Sequence, residues 1–450
     1  MLRLILDCLS QHDLCRVCLA HPQLRHLAEP PLYSKLELYY DQEKYSTHHP
    51  ITSLIRTILR RPDLGPRARS LSCSRGKGAK DIKSLRIPVR ETDLEEALSF
   101  VEKTGLAYRD TWKKKLRQGA LDAFLAVLLT QLSRLRSLYL GHAFSCKADL
   151  VTLVLRSMLF ESHPERPIPG ISSTTLHQLQ TVSIHRFIES AQNAESVLPF
   201  FYLPSIQSIS AAIPNAPISA FPWPTPQPPS APTLRVLYLS YLREAHLGPL
   251  LAAAPRLHTL HWQWRFDPDV AVDASNSPTA DLDLIMSALT PLRDTLTELR
   301  ITAFCAYSTQ AFIPLPLRVR GSMAPLLTHF HQLRTLSLPL VFLTGFELPV
   351  RARALSACLP RAIEELTLTD DLYVDVDTEE PWDATGHAAA VRDWLALAAD
   401  VRASAPRLRM LRLLMRGENG EVCAEERVVR GEIRELARAA GIELVVDPLY

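Results

Sequence analysis

The chain has 450 residues, of which 47% are hydrophobic and 22% are charged, and its formal net charge is +2. This length exceeds one compact core, so it predicts two domains or an elongated repeat array. The near-neutral charge gives no support for a nucleic-acid or membrane partner, and we expect neither. Eight cysteines are scattered without a framework, which favours reduced thiols and a cytoplasmic or nuclear location. We expect no signal peptide and no membrane span, because Asp7 interrupts the first apolar run and Asp122 lies in the longest one.

The first 38 residues predict three short amphipathic helices. Apolar residues in the first two helices recur at the spacing that places them on one face. These residues are Leu2, Ile5, Leu6, Leu9, Leu14, Val17 and Cys18. We expect Asp13 to cap the second helix, Pro22 to end it, and Pro30-Pro31 to end the third. Helices of two or three turns do not stay folded alone, so these need one another and a partner protein.

This segment resembles the F-box, the motif that joins substrate receptors to the Skp adaptor of SCF-type cullin–RING ubiquitin ligases. The resemblance rests on residues 5–33, ILDCLSQHDLCRVCLAHPQLRHLAEPPLY, and its exit sequence Leu-Ala-Glu-Pro-Pro-Leu-Tyr is similar to that of F-box proteins from filamentous fungi. It implies that the seven apolar residues named above contact the adaptor or form the core that supports the contact. The family usually opens with an upstream Leu-Pro pair, which is missing before Met1, so we expect either an upstream start or a weaker adaptor contact. A plain helical cap on the following domain is the alternative.

A short apolar pattern, Leu-x-x-Leu-x-Leu with apolar substitutions, then recurs along the chain. Copies begin at residues 135, 179, 206, 234, 257, 296, 333, 363 and 408, and we interpret 68–71 and 442–444 as eroded terminal copies. Each copy predicts a short strand whose side chains alternate between a buried and an exposed face. Helical patterns lie between copies, at 116–132, 148–160, 281–292, 388–401 and 425–440.

Strand, turn and helix repeated in this way resemble a leucine-rich repeat. The resemblance implies an α/β solenoid with a parallel sheet on its concave face and helices outside. The copies are about 23 to 45 residues apart and lack the usual Asn after the third apolar position, so we expect an irregular arc. The alternative is a doubly wound α/β domain.

The predicted organisation has three parts. Residues 1–40 form the F-box-like segment, 41–63 a connecting helix, and 64–450 the repeat domain with a Pro-rich loop at 214–232 and an acidic loop at 370–383. The Pro-rich stretch cannot be a helix or a paired strand, and could alternatively dock an aromatic groove. The acidic stretch lacks the Gly of a calcium loop and is predicted to be solvated.

The sequence does not support an enzyme. It contains no nucleophile elbow, paired-His metalloprotease motif or dinucleotide fingerprint. Cys15, Cys18, His21 and His26 have ligand chemistry, but their spacing does not suit a zinc site. We therefore expect no catalytic residue, no cofactor and no metal.

The predicted function is non-catalytic substrate recognition in an SCF-type ubiquitin ligase. Adaptor and cullin–RING ligase would bind through the F-box-like helices, and an unidentified substrate protein through the exposed side chains of the repeat strands. Aromatic and arginine residues dominate interface energetics. The predicted substrate contacts are Tyr139, Tyr238, His261, Arg300 and Arg412. Two alternatives are a repeat scaffold without any link to ubiquitination, and a hydrolase or transferase with an unrecognised site.

Overall fold

The structure is a computed structural model that describes most of the chain. The described residues are 2–41, 45, 47–76, 86–145, 148–161, 167–172, 174–185, 197–213, 215, 221–270, 272–273, 276–306, 317–345, 352–372, 384–415 and 424–448. The chain forms two compact units, one of Met1–Ala211 with Trp223–Thr233 and one of Ala212–Pro222 with Leu234–Tyr450. Each unit combines helices with parallel strands, and this confirms the predicted mixed α/β class.

The helices are α1 (Leu2–Asp7), α2 (Gln11–Ala20), α3 (Pro22–Ser34), α4 (Pro50–Arg60), α5 (Glu91–Thr104), α6 (Arg109–Arg117), α7 (Leu121–Gln131), α8 (His142–Ser145), α9 (Asp149–Arg156), α10 (Glu244–Leu251), α11 (Leu282–Leu289), α12 (Ala324–Leu327), α13 (Val341–Thr344), α14 (Ala352–Cys358), α15 (Ala384–Ala396), α16 (Ala398–Ser404) and α17 (Ala424–Ala439). The strands are β1 (Lys35–Tyr40), β2 (Ser70–Arg75), β3 (Ser137–Leu140), β4 (Thr181–Ile184), β5 (Ser208–Ala212), β6 (Val236–Ser240), β7 (Thr259–Phe266), β8 (Thr279–Asp281), β9 (Glu298–Cys305), β10 (Arg318–Arg320), β11 (Thr335–Pro339), β12 (Glu365–Thr369), β13 (Met410–Met415) and β14 (Glu443–Pro448).

In the first unit, β1 to β5 are hydrogen-bonded in chain order and all pairs are parallel. The second apolar residue of each repeat copy lies in one register across the strands. That register consists of Leu71, Leu138, Val182 and Ile209, all of them fully buried. The helix α7 is buried around almost its whole circumference, which explains why its sequence is apolar on every face.

In the second unit, the strand order is β6, β7, β9, β11, β12, β13 and β14, again parallel throughout. Here the shared register consists of Leu237, Leu260, Leu299, Leu336, Leu366, Leu411 and Leu444. Strands β8 and β10 pair separately, also in parallel. Every predicted repeat copy therefore contributes one strand, and most of these strands keep the predicted alternation of buried and exposed side chains. In β11 the alternation is lost, because Ser337 is buried together with its neighbours Leu336 and Leu338.

The predicted helical stretches contain helices, but two of them are interrupted. The stretch 116–132 is split at residues 118–120 between α6 and α7. The stretch 388–401 is split at Leu397 between α15 and α16. The predicted connecting helix is α4, which ends before Pro62 as expected. Within the described residues, no helix combines the length and the apolar composition needed to cross a bilayer.

Three local predictions in the first forty residues were wrong. Ser10, not Asp13, caps α2: its hydroxyl accepts the Asp13 N–H at 3.1 Å and donates to the Asp13 carboxylate at 2.6 Å. This reciprocal pair resembles a capping box, in which the acidic residue belongs to the first turn. Pro30 and Pro31 lie inside α3, which continues to Ser34. Its buried Ala28 and Glu29 anchor the helix just before these prolines, so tertiary contacts override the local breaker.

The third error concerns the end of the segment 1–40, which is not helical. Residues 35–40 form strand β1, which pairs residue by residue with β2. Its buried residues are Leu36, Leu38 and Tyr40, at the period of two that a half-buried strand requires. The strand has no Leu-x-x-Leu copy, and the repeat pattern therefore did not reveal it.

The two predicted loops are partly described. Residues 221–232 of the Pro-rich stretch contain no helix or strand, and Trp223 packs edge-on against Phe201. At the start of the acidic stretch, Asp370 and Asp371 are buried, which corrects the prediction of a solvated loop for these two residues. The Asp371 carboxylate accepts the Ala303 N–H at 2.8 Å. The rest of this loop, 373–383, lies outside the described residues.

His49 caps α4 and makes the stability of the first unit depend on pH. Its buried ring accepts the Ile51 N–H through Nδ1 and donates from Nε2 to the Tyr39 carbonyl at 3.0 Å. Burial lowers the pKa of His49 to about 4. Since an unfolded histidine titrates near 6.5, protonation favours the unfolded chain as the pH falls from about 6.5 towards 4.

We expect His49 to lower the free energy of unfolding by about 2 kcal/mol between pH 7 and pH 5. Urea unfolding at the two pH values measures this. His49→Asn, which keeps an N-cap acceptor, should show a smaller pH effect than the wild type. The exposed neighbour variant His48→Asn should keep the full effect, and an unchanged pH effect in His49→Asn would show that the ring is not the responsible group.

Candidate functional site

The helices α1, α2 and α3 are built around a small hydrophobic core of their own. Leu6, Leu14 and Ala28 are buried at its centre. Half-buried residues pack against them: Leu9, Val17, Cys18 and Leu32. Five of the seven predicted adaptor residues therefore have a supporting role, because Leu6 and Leu14 are buried and Leu9, Val17 and Cys18 are half-buried.

The same three helices expose large apolar side chains. Leu2 and Ile5, the other two predicted adaptor residues, are each 54% exposed. Sequence reasoning missed three more: Leu4 is 71% exposed, Leu19 87% and Leu27 48%. We call Leu2, Leu4, Ile5, Leu19 and Leu27 the N-terminal apolar surface. Leu4 and Leu19 lie outside the apolar helix faces that the spacing of apolar residues predicted. An apolar residue outside the apolar face of a short helix is the sequence signal that could have identified them.

Glu29 on α3 connects these helices to the rest of the first unit. Its buried carboxylate accepts two hydrogen bonds from Arg61, at 2.6 and 3.0 Å, and one from Arg25 at 3.0 Å. Arg67, in the 3-10 turn Gly65–Arg67, adds an ion pair at 3.7 Å. Hydrogen bonding by Arg61 holds the pKa of Glu29 down at about 2. Arg61 and Arg67 lie more than thirty residues away in sequence, so no local pattern predicts their contacts with Glu29, whereas Arg25 is only four residues away on the same helix.

We expect Glu29→Gln to lower the free energy of unfolding by about 2 kcal/mol at pH 7, because it removes charge-assisted hydrogen bonds from a buried site. Because the arginine side chains are partly exposed, they can form hydrogen bonds with water instead, which limits the loss of stability. The contribution of Glu29 is present above pH about 4.5 and is lost as the pH falls towards 2. Chemical denaturation measures this loss of stability.

Glu102→Gln is the matched control, because Glu102 is an exposed carboxylate that binds Lys113. It should lower the free energy of unfolding by less than about 0.5 kcal/mol. Equal losses in both variants would show that burial of Glu29 does not determine its contribution.

In the second unit, four of the predicted substrate residues occupy one register on the exposed side of the strands. Tyr238, His261, Arg300, Ser337, Thr367 and Arg412 are successive register partners from β6 to β13. We call these six residues the donor row. The structure therefore aligns Tyr238, His261, Arg300 and Arg412, which lie far apart in sequence. Tyr139 belongs to the first unit, where its ring lies 5.3 Å from that of His185.

Contacts between neighbours fix one end of the donor row. The rings of Tyr238 and His261 meet edge to face at 4.5 Å. His261 Nε2 lies 2.9 Å from Glu298 Oε1, and Arg300 Nε donates to the same oxygen at 2.7 Å. These bonds lower the pKa of Glu298 against an opposing effect of burial. Glu298 is not one of the five predicted substrate contacts, although it stands two residues before Arg300 on the same face of β9.

At the other end of the row, Arg412 makes a looser ion pair of 3.6 Å with Asp447. Ser337, between the two arginines, is buried, and Thr367 is its neighbour on β12. Within the described part of the chain, neither hydroxyl has a hydrogen-bond partner, nor do the terminal nitrogens of Arg300. The Thr367 hydroxyl and the terminal nitrogens of Arg300 are therefore available to a partner molecule, whereas the Ser337 hydroxyl has little exposed surface.

The described residues contain no group of three or more His, Cys, Asp or Glu side chains that could hold a metal ion. Cys15 and Cys18 are free thiols on α2. Burial raises the pKa of the Cys18 thiol, which makes it less reactive than an ordinary surface cysteine.

No protein-family model matches the sequence, and no curated protein matches it. Among solved structures, a crystal structure of a protein from Bacteroides fragilis is similar over 93% of this chain and 66% of that chain, with 8% sequence identity and a TM-score of 0.24. The chain thus spans just under two thirds of that protein. A similarity at this TM-score supports no conclusion about function.

Proposed function

We propose that the chain is the non-catalytic substrate-recognition subunit of an SCF-type E3 ubiquitin ligase in the cytoplasm or nucleus. The helices α1 to α3 would bind the Skp adaptor, and a leucine-rich-repeat domain formed by the parallel strands and their helices would bind a substrate protein. The observation that carries the proposal is the N-terminal apolar surface. Several large apolar side chains exposed on one small helical element mark a candidate contact site for a partner protein.

Two further observations support the proposal. The F-box-like sequence at residues 5–33 coincides with these helices, and their separate core gives the surface a support of its own. The in-register leucines of successive parallel strands are the arrangement that a leucine-rich repeat requires.

The proposed mechanism is positional. A substrate held on the repeat strands is kept close to the ubiquitin-charged enzyme that the cullin–RING part of the ligase binds. Transfer accelerates because the effective concentration and the orientation of the substrate improve. No side chain of this chain takes part in the chemistry.

Co-purification tests the proposal. The tagged full-length chain is expressed in cells, and bound proteins are identified by mass spectrometry; the adaptor and a cullin should be among them. A folded chain that retains other proteins but neither of these would instead be a repeat scaffold without a role in ubiquitination. Leu284→Asp is a control for nonspecific apolar binding, because Leu284 lies on α11, outside the N-terminal helices, and is 43% exposed. This variant should retain both the adaptor and the cullin.

A further inference from the structure

The donor row differs from the rows beside it in charge. Reading across β6 to β13, it carries a phenol, an imidazole, a guanidinium, two hydroxyls and a second guanidinium, and no carboxylate. Each of these groups can donate a hydrogen bond, and two are permanent cations. The row two residues earlier contains three carboxylates, at Glu298, Glu365 and Glu443. The exposed side of these strands is therefore banded, with donors in one row and acids in the next.

We propose that the donor row binds an acidic segment of the substrate protein, laid across the strands with Asp or Glu side chains on Arg300 and Arg412. This inference rests on the proposed function and names its substrate class. The terminal nitrogens of Arg300 form a planar fork that matches a carboxylate in two parallel hydrogen bonds. Glu298 binds only the Nε of Arg300, so it holds the guanidinium in place and leaves that fork available.

The strand spacing sets the length of the segment. Neighbouring strands are about 4.8 Å apart, so the donor row spans about 24 Å from Tyr238 to Arg412, and Arg300 lies about 14 Å from Arg412. An extended peptide advances about 3.3 Å per residue. The segment therefore has about eight residues, with its two acidic side chains four residues apart. An aromatic or aliphatic residue two positions before the first acid lies on the same face of an extended peptide as the two acids, where it would meet the exposed ring of Tyr238.

The neighbouring acids restrict what can bind. Within the described part of the chain, Glu365 and Glu443 have no ion pair, and their row lies about 7 Å from the donor row. They repel a uniformly acidic partner and confine its acids to the donor row. Replacing Glu365 by Gln should therefore strengthen binding of the acidic segment about twofold.

Fluorescence anisotropy with the full-length chain tests the inference. The probe is a fluorescein-labelled nonapeptide with phenylalanine at its second position, glutamate at its fourth and eighth positions, and serine or glycine elsewhere. We expect saturable binding with a Kd of about 0.1 mM or tighter. Arg300→Gln and Arg412→Gln should each weaken it about tenfold, and 0.5 M salt should weaken it as well.

Arg256→Gln is the matched control, because Arg256 is an exposed arginine in the turn before β7 and lies outside the row. It should bind the peptide as the wild type does. Lack of binding, equal binding of a peptide with lysines in place of the glutamates, or undiminished binding by Arg300→Gln would each overturn the inference. Unfolding midpoints equal to that of the wild type confirm that the variants are folded.

The same variants separate this inference from the proposed function. Arg300→Gln should still bind the adaptor, because Arg300 is not part of the N-terminal helices. If the chain binds the adaptor but not the acidic peptide, only the proposed substrate class is refuted. A chain that binds the peptide but not the adaptor refutes the ligase assignment and leaves the acidic-segment site standing.

Discussion

Arg243→Met should lower the free energy of unfolding of the second unit by about 3–5 kcal/mol, since it leaves a buried carboxylate without its counter-ion. Arg243 is almost fully buried and binds both carboxylate oxygens of Glu244, at 2.8 and 2.9 Å. It also donates to the carbonyls of Arg265, Ser277 and Thr279 and lies 4.7 Å above the ring of Trp264. Methionine fills a similar volume but satisfies none of these acceptors.

The chain contains a matched control for this prediction. Arg293 and Asp294 form an ion pair between adjacent residues in the same way, but both side chains are more than half exposed. Arg293→Met should change the free energy of unfolding by less than about 0.5 kcal/mol. Urea denaturation of both variants measures the difference. If the two substitutions lower the free energy of unfolding equally, burial of the Arg243–Glu244 pair does not determine its contribution to stability.

Ile5→Asp should weaken adaptor binding by at least about tenfold while leaving the chain folded. Ile5 is one of the exposed residues of α1, so a charge there is solvated in the free chain and destabilises it little. In the proposed complex the same charge would be buried against apolar partner atoms without a counter-ion, which is costly. Surface plasmon resonance with immobilised adaptor measures the affinity.

In the same experiment, Leu14→Ala distinguishes a residue that supports the adaptor-binding surface from a residue that contacts the adaptor. Leu14 is at the centre of the small helical core, and its truncation should lower both stability and adaptor binding. Ile5→Asp should affect binding alone. If Ile5→Asp binds the adaptor as tightly as the wild type, Ile5 is not in the interface and the N-terminal apolar surface has another role.

The repeat strands were predictable because their signal is local and periodic. The residues Leu237, Leu260 and Leu299 are each the second apolar residue of a copy, and they align directly in the sheet. The same periodicity placed Tyr238, His261 and Arg300 on the exposed face, because side chains alternate along a strand.

The features that sequence reasoning missed depend on residues distant in the chain. The buried Glu29 carboxylate binds Arg61 and Arg67, which lie just after α4 and in the following turn. Arg243 is buried by carbonyls that lie 22 to 36 residues further along the chain. Pairing between amino acids at such separations has no periodic trace in one sequence, so it cannot be read from composition or spacing.

Local competition explains the remaining errors at the N-terminal helices. Ser10 and Asp13 are both good capping residues, and the spacing of apolar residues does not decide between them. Strand β1 has an alternating pattern, but it contains no repeat copy and lies directly after α3 within the segment predicted as helical, so it was not recognised as a strand.

Isothermal titration of the purified full-length chain with purified Skp adaptor tests the central claim most directly. We expect a one-to-one complex with a Kd of about 1 µM or tighter. We also expect a negative heat-capacity change, because apolar side chains leave water on binding. Absence of binding by a chain that unfolds cooperatively in a parallel denaturation would contradict the claim that these three helices are an adaptor-binding element.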